Sequence, residues 1–578
     1  MAADYDLVIR GGTIVDGTGA APFAGDVAIQ ADRIVAVGDI DGVGETEIDA
    51  AGKLVTPGFV DIHTHYDGQV IWSHTLSPSS HHGVTTVVMG NCGVGFAPCR
   101  PDDRERLIEL MEGVEDIPEI VMAEGLTWEW ESFPEYLDVI AGRSYDVDIA
   151  AQLPHSALRL YVMGSRAVAR EPSTAEDNEE MAKLAREAMA AGAIGFGTSR
   201  TLQHRTGGGD IIPTYGSSEA ELSAIASGMR EAGHGVIELA MDLTDVEREF
   251  ELLRNVAKAS DRTISFGLAQ LPDDPGSWRV ALGEAARSKD KGLSIRAQVT
   301  PRGIGMLLGH ELTCNPFSFC PGYRALDDLP FDAKIAKLRE PETRARILSE
   351  PLGEANSPAL ERVRPRLRRF EAMFPFGDPP NYEPAPETAL SRLATASGVT
   401  PEELAYDLML ENDGRGMLYL PSANYVDYSL DPVREMLIDD NAVLGLGDGG
   451  AHCGSICDAS YPTFMLEYWT RDRKRGTLSV PWTIRALTSV PADVVGLHDR
   501  GRIALGLKAD LNVIDYDRIH LHAPRVAYDF PGGGRRLTQE ADGFDATILS
   551  GVVTYRHGEA TGILPGQLIR GPQAAPGT

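Results

Sequence analysis

Eight short apolar segments rich in β-branched residues recur along the chain, and most of them are separated by stretches with helical periodicity. They span residues 58–63, 85–89, 148–152, 195–197, 235–239, 263–266, 293–298 and 442–447. Regular alternation of strands and helices predicts a parallel sheet covered by helices. Because eight such units suffice to close a barrel, we expect an α/β fold, a (β/α)₈ TIM-like barrel. One covering helix is predicted at 175–191, where apolar residues recur at helical spacing and Gly192 follows.

Both ends of the chain contain short alternating strands between glycine turns, over about 6–37 and again over about 509–558. This pattern is typical of a small β-sandwich, and we expect the two ends to share one sheet system. The predicted domains are a β-sandwich made of residues 1–56 and 500–571 and a metal-dependent hydrolase barrel made of residues 57–499.

The barrel is interrupted by a long insertion at about 305–435, which is rich in proline, arginine and glutamate. The segment is too long for a single connection between a strand and a helix. It is either a solvated decoration, since long insertions cost little, or a cover above the barrel mouth. We favour the cover, because the catalytic loops of barrels lie on that face.

The charge of the chain excludes several kinds of partner. With 85 acidic and 53 basic residues the formal net charge is −32, which repels phosphate backbones and anionic membranes, so no nucleic acid is expected. The sequence predicts neither a signal peptide nor a membrane span. The six cysteines form no repeated Cys-x-x-Cys pattern, so we expect a soluble protein of the reducing cytoplasm.

Two motifs at strand ends carry the predicted chemistry. His63 and His65 end the first apolar segment, and because side chains alternate along a strand, both imidazoles are expected on one side, where they can bind a divalent metal. Asp448 ends the eighth segment among glycines, which let the backbone approach closely. We predict that Asp448 contacts the metal and acts as the general base that takes a proton from the attacking water.

These motifs and the flanking strands resemble the amidohydrolase superfamily over nearly the whole chain. Residues 83–93, Gly-Val-Thr-Thr-Val-Val-Met-Gly-Asn-Cys-Gly, resemble the second-strand signature of the N-acyl-D-amino-acid deacylase (D-aminoacylase) family, and residues 561–571 are similar to its C-terminal end. The resemblance implies that Cys92 is a zinc ligand. The alternative for Cys92 is a small buried apolar residue.

The sequence departs from the family pattern at two metal ligands. The family has one histidine in a His-Met-Arg context at strand five and another in an Ile-Ser-His context at strand six, where this chain has Ala240 and Phe266. No lysine ends the fourth segment, where a carbamylated bridge would be expected. We therefore expect one divalent metal, zinc by default, rather than two. Its predicted ligands are His63, His65 and Asp448, with Cys92 or Glu238 as a fourth. For Glu238 the alternative is an ordinary ion pair.

Four further residues are candidates for substrate binding: His155, Arg200, His204 and His452. His155 resembles a histidine that the family has after strand three, and His452 follows Asp448 by four residues. Arg200 and His204 precede a glycine-rich loop. The alternative for each is a structural or surface role. At the position of Asp242 the family has an arginine, which is expected to help hold the carboxylate of the substrate. The negative charge of Asp242 would repel such a carboxylate.

The resemblance implies a metal-dependent hydrolase that cleaves the amide carbon–nitrogen bond of a small molecule, in first place an N-acyl amino acid. A cyclic amidase of hydantoinase or lactamase type is the second alternative. The third is a non-catalytic binding barrel, which a site filled by Phe266 would support. The chain is compatible with a homo-oligomer.

Overall fold

A computed structural model describes residues 3–354 and 358–577. Its centre is a parallel sheet of eight strands that follow one another in the sheet as they do in the sequence. The strands β1 to β8 are Phe59–Asp61, Val84–Met89, Asp148–Pro154, Gly195–Arg200, Val236–Met241, Thr263–Gly267, Ile295–Val299 and Ala442–Leu444. The two edge strands of this sheet are β1 and β8. Just beyond their carboxyl ends they are joined by a β-bridge between Thr64 and Gly449. The predicted eight-stranded α/β architecture is confirmed and is consistent with a TIM-like barrel.

Helices cover the outside of the sheet, so its strands are buried on both faces, as parallel sheets require. Every residue of β2 and β3 is buried. The α-helices before β7 are Gln69–Trp72, Arg104–Glu115, Glu119–Gly125, Phe133–Ala141, His155–Met163, Ser165–Val168, Ala175–Ala191, Glu219–Ala232, Val246–Ser260 and Ser277–Lys289. The helices on either side of β8 are Asp431–Leu437, Tyr461–Phe464, Val480–Leu487 and Ser489–Val494.

The helix predicted at 175–191 is observed as Ala175–Ala191, and its ends show why the chain folds this way. The hydroxyl of Thr174 accepts a hydrogen bond from the backbone of Asp177, whose carboxylate accepts one from the backbone of Thr174. At the other end Gly192 has φ of 115°, a conformation that glycine adopts without strain. None of the helices in 3–354 and 358–577 combines the length and apolar character needed to cross a bilayer.

Strands from the two chain ends pair in one nine-stranded sheet, in which Leu54–Pro57 runs antiparallel to Leu511–Ile514. Its other strands are Tyr5–Ile14, Phe23–Gln30, Arg33–Gly38, Gly44–Asp49, Phe544–Leu549, Val552–Arg556 and Glu559–Ala560. Alternate apolar side chains of both ends form one buried cluster over this sheet. The C-terminal part also contains the pair His520–Leu521 and Ala541–Asp542 and the hairpin Arg525–Phe530 and Gly534–Thr538.

The insertion between β7 and β8 folds around a hydrophobic cluster of its own. It has a three-stranded sheet and the helices Pro321–Arg324, Phe331–Leu338, Pro341–Ser349, Pro358–Val363, Leu390–Ser397, Pro401–Met409 and Glu411–Gly414. The sheet strands are Ile304–Leu308, Phe374–Pro375 and Leu418–Ala423. Asn424 exchanges two hydrogen bonds of 2.8 Å with Gln270, which follows β6. Arg362 donates to the carbonyl of Gln203, which follows β4. The insertion therefore contacts the carboxyl edge of the barrel strands.

Candidate metal centre

His63 and His65 lie just beyond the carboxyl end of β1, and both rings are buried. Their ring centroids are 5.4 Å apart and their planes meet at 71°. Nδ1 of His63 lies 2.7 Å from Oε1 of Gln298 in β7. Because an amide oxygen only accepts hydrogen bonds, this nitrogen carries the proton. The other nitrogen, Nε2, is therefore left free for a metal.

Asp448, which follows β8, brings a carboxylate to this centre. Its Oδ1 lies 3.4 Å from Nε2 of His63 and 3.6 Å from Nε2 of His65. Burial disfavours the charged carboxylate, but the neighbouring imidazoles of His65, His63 and His452 outweigh burial and hold the pKa of Asp448 well below its usual range. Asp448 is thus ionised at neutral pH, as a metal ligand or a general base must be.

Cys92 brings a thiol to the same place from the turn after β2. Its Sγ lies 3.5 Å from Nε2 of His63. The backbone of Cys92 has φ of 53°, a conformation that costs energy in a residue with a side chain and persists only where its surroundings enforce it. Burial, and then the nearby carboxylates of Glu238 and Glu115, raise the pKa of this thiol well above its usual value. Without a neighbouring cation the group is therefore a neutral thiol.

Glu238 points into the barrel, which settles an orientation that strand alternation alone left open. Its Oε2 accepts a hydrogen bond of 2.7 Å from the backbone N–H of Cys92, and its Oε1 lies 3.9 Å from Nδ1 of His63. Burial raises the pKa of Glu238 to about 7. The side chain is only 1% exposed, and both roles considered for it, metal ligand and ion pair, stay predictions.

The donor groups at this centre suit a divalent metal. One ligand atom from each of His63, His65 and Cys92 can be chosen so that all lie within 4.8 Å of one another, and all three residues are buried. Burial lowers the pKa of His65 to about 4, so its ring is neutral at pH 7, as a ligand must be. Two imidazoles, a thiol and the carboxylate of Asp448 are donors typical of zinc sites.

The two residues predicted to stand where the family has histidines lie on opposite faces of the sheet. Ala240 is two residues beyond Glu238 in β5 and so shares its inward face. Phe266 in β6 is fully buried, and its ring meets that of Phe250 edge to face, with centroids 5.4 Å apart. Phe250 belongs to the covering helix Val246–Ser260, so Phe266 packs into the helical layer. Phe266 does not fill the metal centre.

The fourth strand has no room for a bridging lysine at its inward position. Gly197 is in register with Glu238, so both face the interior. A Cβ atom at position 197 would lie 2.1 Å from the carbonyl oxygen of Gly90, in the turn that carries Cys92. Close approach of two backbones therefore excludes any side chain there.

The structure places His155 beside the barrel, in a network within the protein. Its Nδ1 lies 2.7 Å from Oγ1 of Thr198 and its Nε2 lies 2.9 Å from Oε1 of Glu221. The ring is fully buried, and Arg159 also donates to Glu221. Both ring nitrogens are thus engaged, which leaves neither free for a substrate in this conformation.

The other three candidates for substrate binding lie around the barrel mouth. Nε2 of His452 lies 4.0 Å from Oδ2 of Asp448, and its side chain is 25% exposed. Nδ1 of His204 lies 2.8 Å from Oγ of Ser199. Burial, and then the charge of His65, lower the pKa of His204 to about 3. Arg200 donates to the carbonyl of Ser217. Of the three, His452 is the one in contact range of Asp448.

Two buried residues at the centre have no counterpart among the sequence predictions, Gln298 and Glu115. Gln298 is the last residue of the predicted segment 293–298, so the sequence alone places it at a strand end. A glutamine side chain, however, is not a typical metal ligand and therefore gave no reason to predict a role. Glu115 ends the helix Arg104–Glu115, and its Oε1 lies 3.4 Å from Nδ1 of His65. Nothing in an amphipathic helix indicates which polar residue will meet a distant histidine.

A small cavity lies next to Asp448 and is lined by His452, Asp458 and Arg536 among others. Its volume is ≈ 20 Å³, which is room for about one water molecule.

A comparison with protein families shows to which family this chain belongs. The profile described as the Amidohydrolase family matches residues 46–555, which is most of the sequence. The chain belongs to the amidohydrolase family. The family resemblance inferred from the His-x-His pair, Asp448 and residues 83–93 is confirmed.

Two curated relatives from Alcaligenes xylosoxydans xylosoxydans illustrate how this amidohydrolase relates to its family. A D-aminoacylase is 32% identical over 251 residues, which are 43% of this chain and 49% of the relative, so the match spans about half of that protein. An N-acyl-D-glutamate deacylase is 24% identical over 581 residues, 99% of this chain and 97% of the relative.

Solved structures show the same fold. A D-aminoacylase structure superimposes with a TM-score of 0.64 at 21% identity and covers 98% of this chain and 100% of that one. The N-acyl-D-glutamate deacylase of Bordetella bronchiseptica, complexed with zinc and a phosphonate inhibitor, superimposes with a TM-score of 0.64 at 20% identity and covers 98% and 99%. At these identities the likeness concerns the fold.

Proposed function

We propose that this amidohydrolase is a metal-dependent hydrolase that cleaves the amide carbon–nitrogen bond of N-acyl amino acids. The observation that carries the proposal is the convergence of His63, His65, Cys92 and Asp448 at the carboxyl end of the barrel. Active sites of such barrels lie at this face. The names of the relatives, D-aminoacylase and the deacylases of N-acyl-D-glutamate and N-acyl-D-aspartate, support the substrate class.

We propose one zinc ion per chain. His63 and His65 would bind it through nitrogen, Cys92 through sulphur and Asp448 through oxygen, while Glu238 would hold the turn of Cys92 or complete the ligand set. Ala240 on the inward face of β5 and Gly197 on the inward face of β4 offer no ligand atom, which supports one ion rather than two. Zinc agrees with the donor types and with the metal in the Bordetella bronchiseptica structure.

The residues of the chain account for the proton transfers of such a reaction. A divalent metal at this centre would supply a Lewis acid that polarises the scissile carbonyl. Asp448, ionised at neutral pH, takes the proton of the attacking water and returns it to the leaving amine. His452 lies close enough to Asp448 to orient this carboxylate or to contact the substrate.

Four polar residues surround the approach of the substrate to the proposed metal. His452, His204 and Arg200 are proposed to line the entrance, and His155 to support it through Thr198. Asp242, which stands where the family has an arginine, accepts hydrogen bonds from the hydroxyl of Thr201 and the backbone of Leu202. The carboxylate of Asp242 is therefore held by hydrogen bonds from the loop that follows β4.

We further propose that the sheet of the two chain ends forms a β-sandwich domain, residues 1–56 and 500–571, beside a barrel of residues 57–499. The insertion at 305–435 is proposed as a cover, because it contacts the segments that follow β4 and β6. A cytoplasmic location, a homo-oligomer and the absence of nucleic-acid partners stay predictions from the sequence.

The experiment that tests the function combines metal content with turnover. Purified parent protein, His63→Ala, Asp448→Ala and the control His557→Ala, whose ring is exposed, are analysed for metal and assayed on N-acyl D- and L-amino acids and cyclic amides. We expect about one metal per chain in the parent and control, and loss of metal and turnover in His63→Ala. Preferential turnover of cyclic amides would favour a hydantoinase-type activity. No metal and no turnover in the parent would favour a binding barrel.

A further inference from the structure

Glu115 is a buried carboxylate at the metal centre that has no role in the reaction proposed above. It is the last residue of the helix Arg104–Glu115 and is 2% exposed. Its Oε1 lies 3.4 Å from Nδ1 of His65. Within the described chain neither of these two atoms has a hydrogen-bond partner. A buried polar atom without a partner costs free energy, so their mutual approach calls for an explanation.

The two nitrogens of His65 face different groups. Nε2 lies 3.6 Å from Oδ1 of Asp448, on the side of the proposed metal, whereas Nδ1 is on the side of Glu115. A histidine that binds a metal through one nitrogen usually donates its other N–H to a carboxylate or a carbonyl. Such a partner fixes the tautomer and the ring orientation and makes the metal-binding nitrogen more basic. Gln298 has the equivalent place beside His63.

The end of this helix is fastened to the loop that follows β8. The backbone N–H of His452 donates to the carbonyl of Glu115. The carboxylate of the next residue, Asp116, accepts hydrogen bonds from the hydroxyl of Ser455 at 2.7 Å and from the backbone of Gly454 at 3.3 Å. Glu115 is therefore held in a fixed position relative to the loop that carries Asp448.

We propose that Glu115 is a positioning residue that accepts a hydrogen bond from Nδ1 of His65 and so directs Nε2 of His65 to the metal. The inference rests on the proposed function, since it requires a metal at the centre. The carboxylate acts through His65 and does not itself contact the substrate.

The test measures zinc affinity and stability separately in the full chain. The variants are Glu115→Leu, which removes the acceptor, and Glu115→Gln, which keeps the shape but removes the charge. The control is Glu105→Gln, an exposed glutamate of the same helix. Zinc dissociation constants come from competition with a chelator, and the stability of the metal-free proteins comes from urea denaturation.

We expect the zinc dissociation constant to rise by about 10- to 100-fold in Glu115→Leu and by about 10-fold in Glu115→Gln, with no change in Glu105→Gln. The metal-free Glu115→Gln protein should be at least as stable as the parent, because the amide has no charge to desolvate. If Glu115→Leu fails to fold, Glu115→Gln decides alone.

If Glu115 only supported the fold, its replacement would lower the stability and leave the zinc affinity unchanged. Lower stability of metal-free Glu115→Gln with parental zinc affinity would overturn the inference, and so would parental affinity in folded Glu115→Leu. In those cases the parent still binds zinc and hydrolyses its substrate, so the proposed function stands. A parent protein that binds no zinc would overturn both.

Discussion

Gln298 accepts a hydrogen bond of 2.7 Å from Nδ1 of His63, across 235 positions of the sequence. The bond joins the inward face of β7 to the residues that follow β1. It gives His63 a single tautomer with Nε2 towards Cys92 and Asp448, from which it lies 3.5 Å and 3.4 Å respectively. The residues at the end of the first strand are thereby oriented by the seventh strand.

We therefore expect Gln298→Leu to weaken zinc binding by about 10- to 100-fold, since the ring of His63 loses its acceptor. Gln298→Glu, which keeps an acceptor oxygen, is the matched control and should bind zinc more tightly than Gln298→Leu. Chelator competition measures both affinities, and circular dichroism checks that both variants fold. Equal affinities in the two variants would contradict this role of Gln298.

Gly197→Ala should disturb the turn that carries Cys92. A Cβ at this position would meet the carbonyl oxygen of Gly90 at 2.1 Å, and backbone atoms cannot move aside as a flexible side chain can. We expect a loss of about 1–3 kcal/mol in the free energy of unfolding, typical of overpacking. Urea denaturation measures the loss.

Gly283→Ala is the control for this substitution. Gly283 lies inside the helix Ser277–Lys289, and a Cβ there would approach only the flexible end of Arg287, at 3.8 Å. The same change should therefore raise stability by about 0.5–1 kcal/mol. Equal effects at positions 197 and 283 would show that β4 and the Cys92 turn are not closely packed.

Arg500 should contribute strongly to stability at the amino-terminal side of the barrel. Its Nη1 lies 2.7 Å from Oδ2 of Asp148 at the start of β3, and both side chains are buried. Asp148 would keep Lys508 as a partner, but Arg500 also pairs with the buried Asp499 and Asp510, so its loss leaves three buried carboxylates beside one lysine. Arg500→Leu should therefore cost about 3–5 kcal/mol.

The control is Arg502→Leu, because Arg502 pairs with Asp493 at a site where its side chain is 32% exposed. Water screens an exposed pair, so this variant should lose about 0–1 kcal/mol. Denaturation midpoints of the two variants give the comparison. A loss in Arg502→Leu as large as that in Arg500→Leu would refute the assignment.

Glu221 should make the stability of the protein depend on pH in the acidic range. Burial would raise its pKa, but the hydrogen bonds and charges of His155 and Arg159 lower the pKa of Glu221 from 4.5 to about 2. A carboxyl with a lower pKa in the folded state stabilises the fold fully above the unfolded value and loses this contribution as pH falls through the folded value.

The difference in free energy of unfolding between the parent and Glu221→Gln should therefore be largest above pH 4.5 and should shrink towards pH 2. Glu219→Gln, an exposed change on the same helix, is the control and should change the free energy of unfolding at neutral pH much less than Glu221→Gln. Urea denaturation across this range measures both. A constant difference for Glu221→Gln would contradict the assigned pKa.

Local patterns along the chain are enough to predict the outline of the fold and its main motifs. The eight apolar segments correspond to β1 to β8, although the structure begins β1 at Phe59, ends it at Asp61 and ends β8 at Leu444. The His-x-His spacing placed two imidazoles together, as alternation along an extended chain requires. The helix Ala175–Ala191 was predictable because its periodicity and its final glycine are local features.

The surroundings of the ligands were decided by the tertiary structure alone. Glu238 faces inward and Phe266 outward because the register of β5 and β6 is set by packing against the interior and the helices, and neither strand alternates clearly between apolar and polar residues. Gln298 and Glu115 meet His63 and His65 from elements far away in the chain. Sequence periodicity reports which face of an element is buried, but which groups meet inside depends on how distant elements pack, and no local pattern records that.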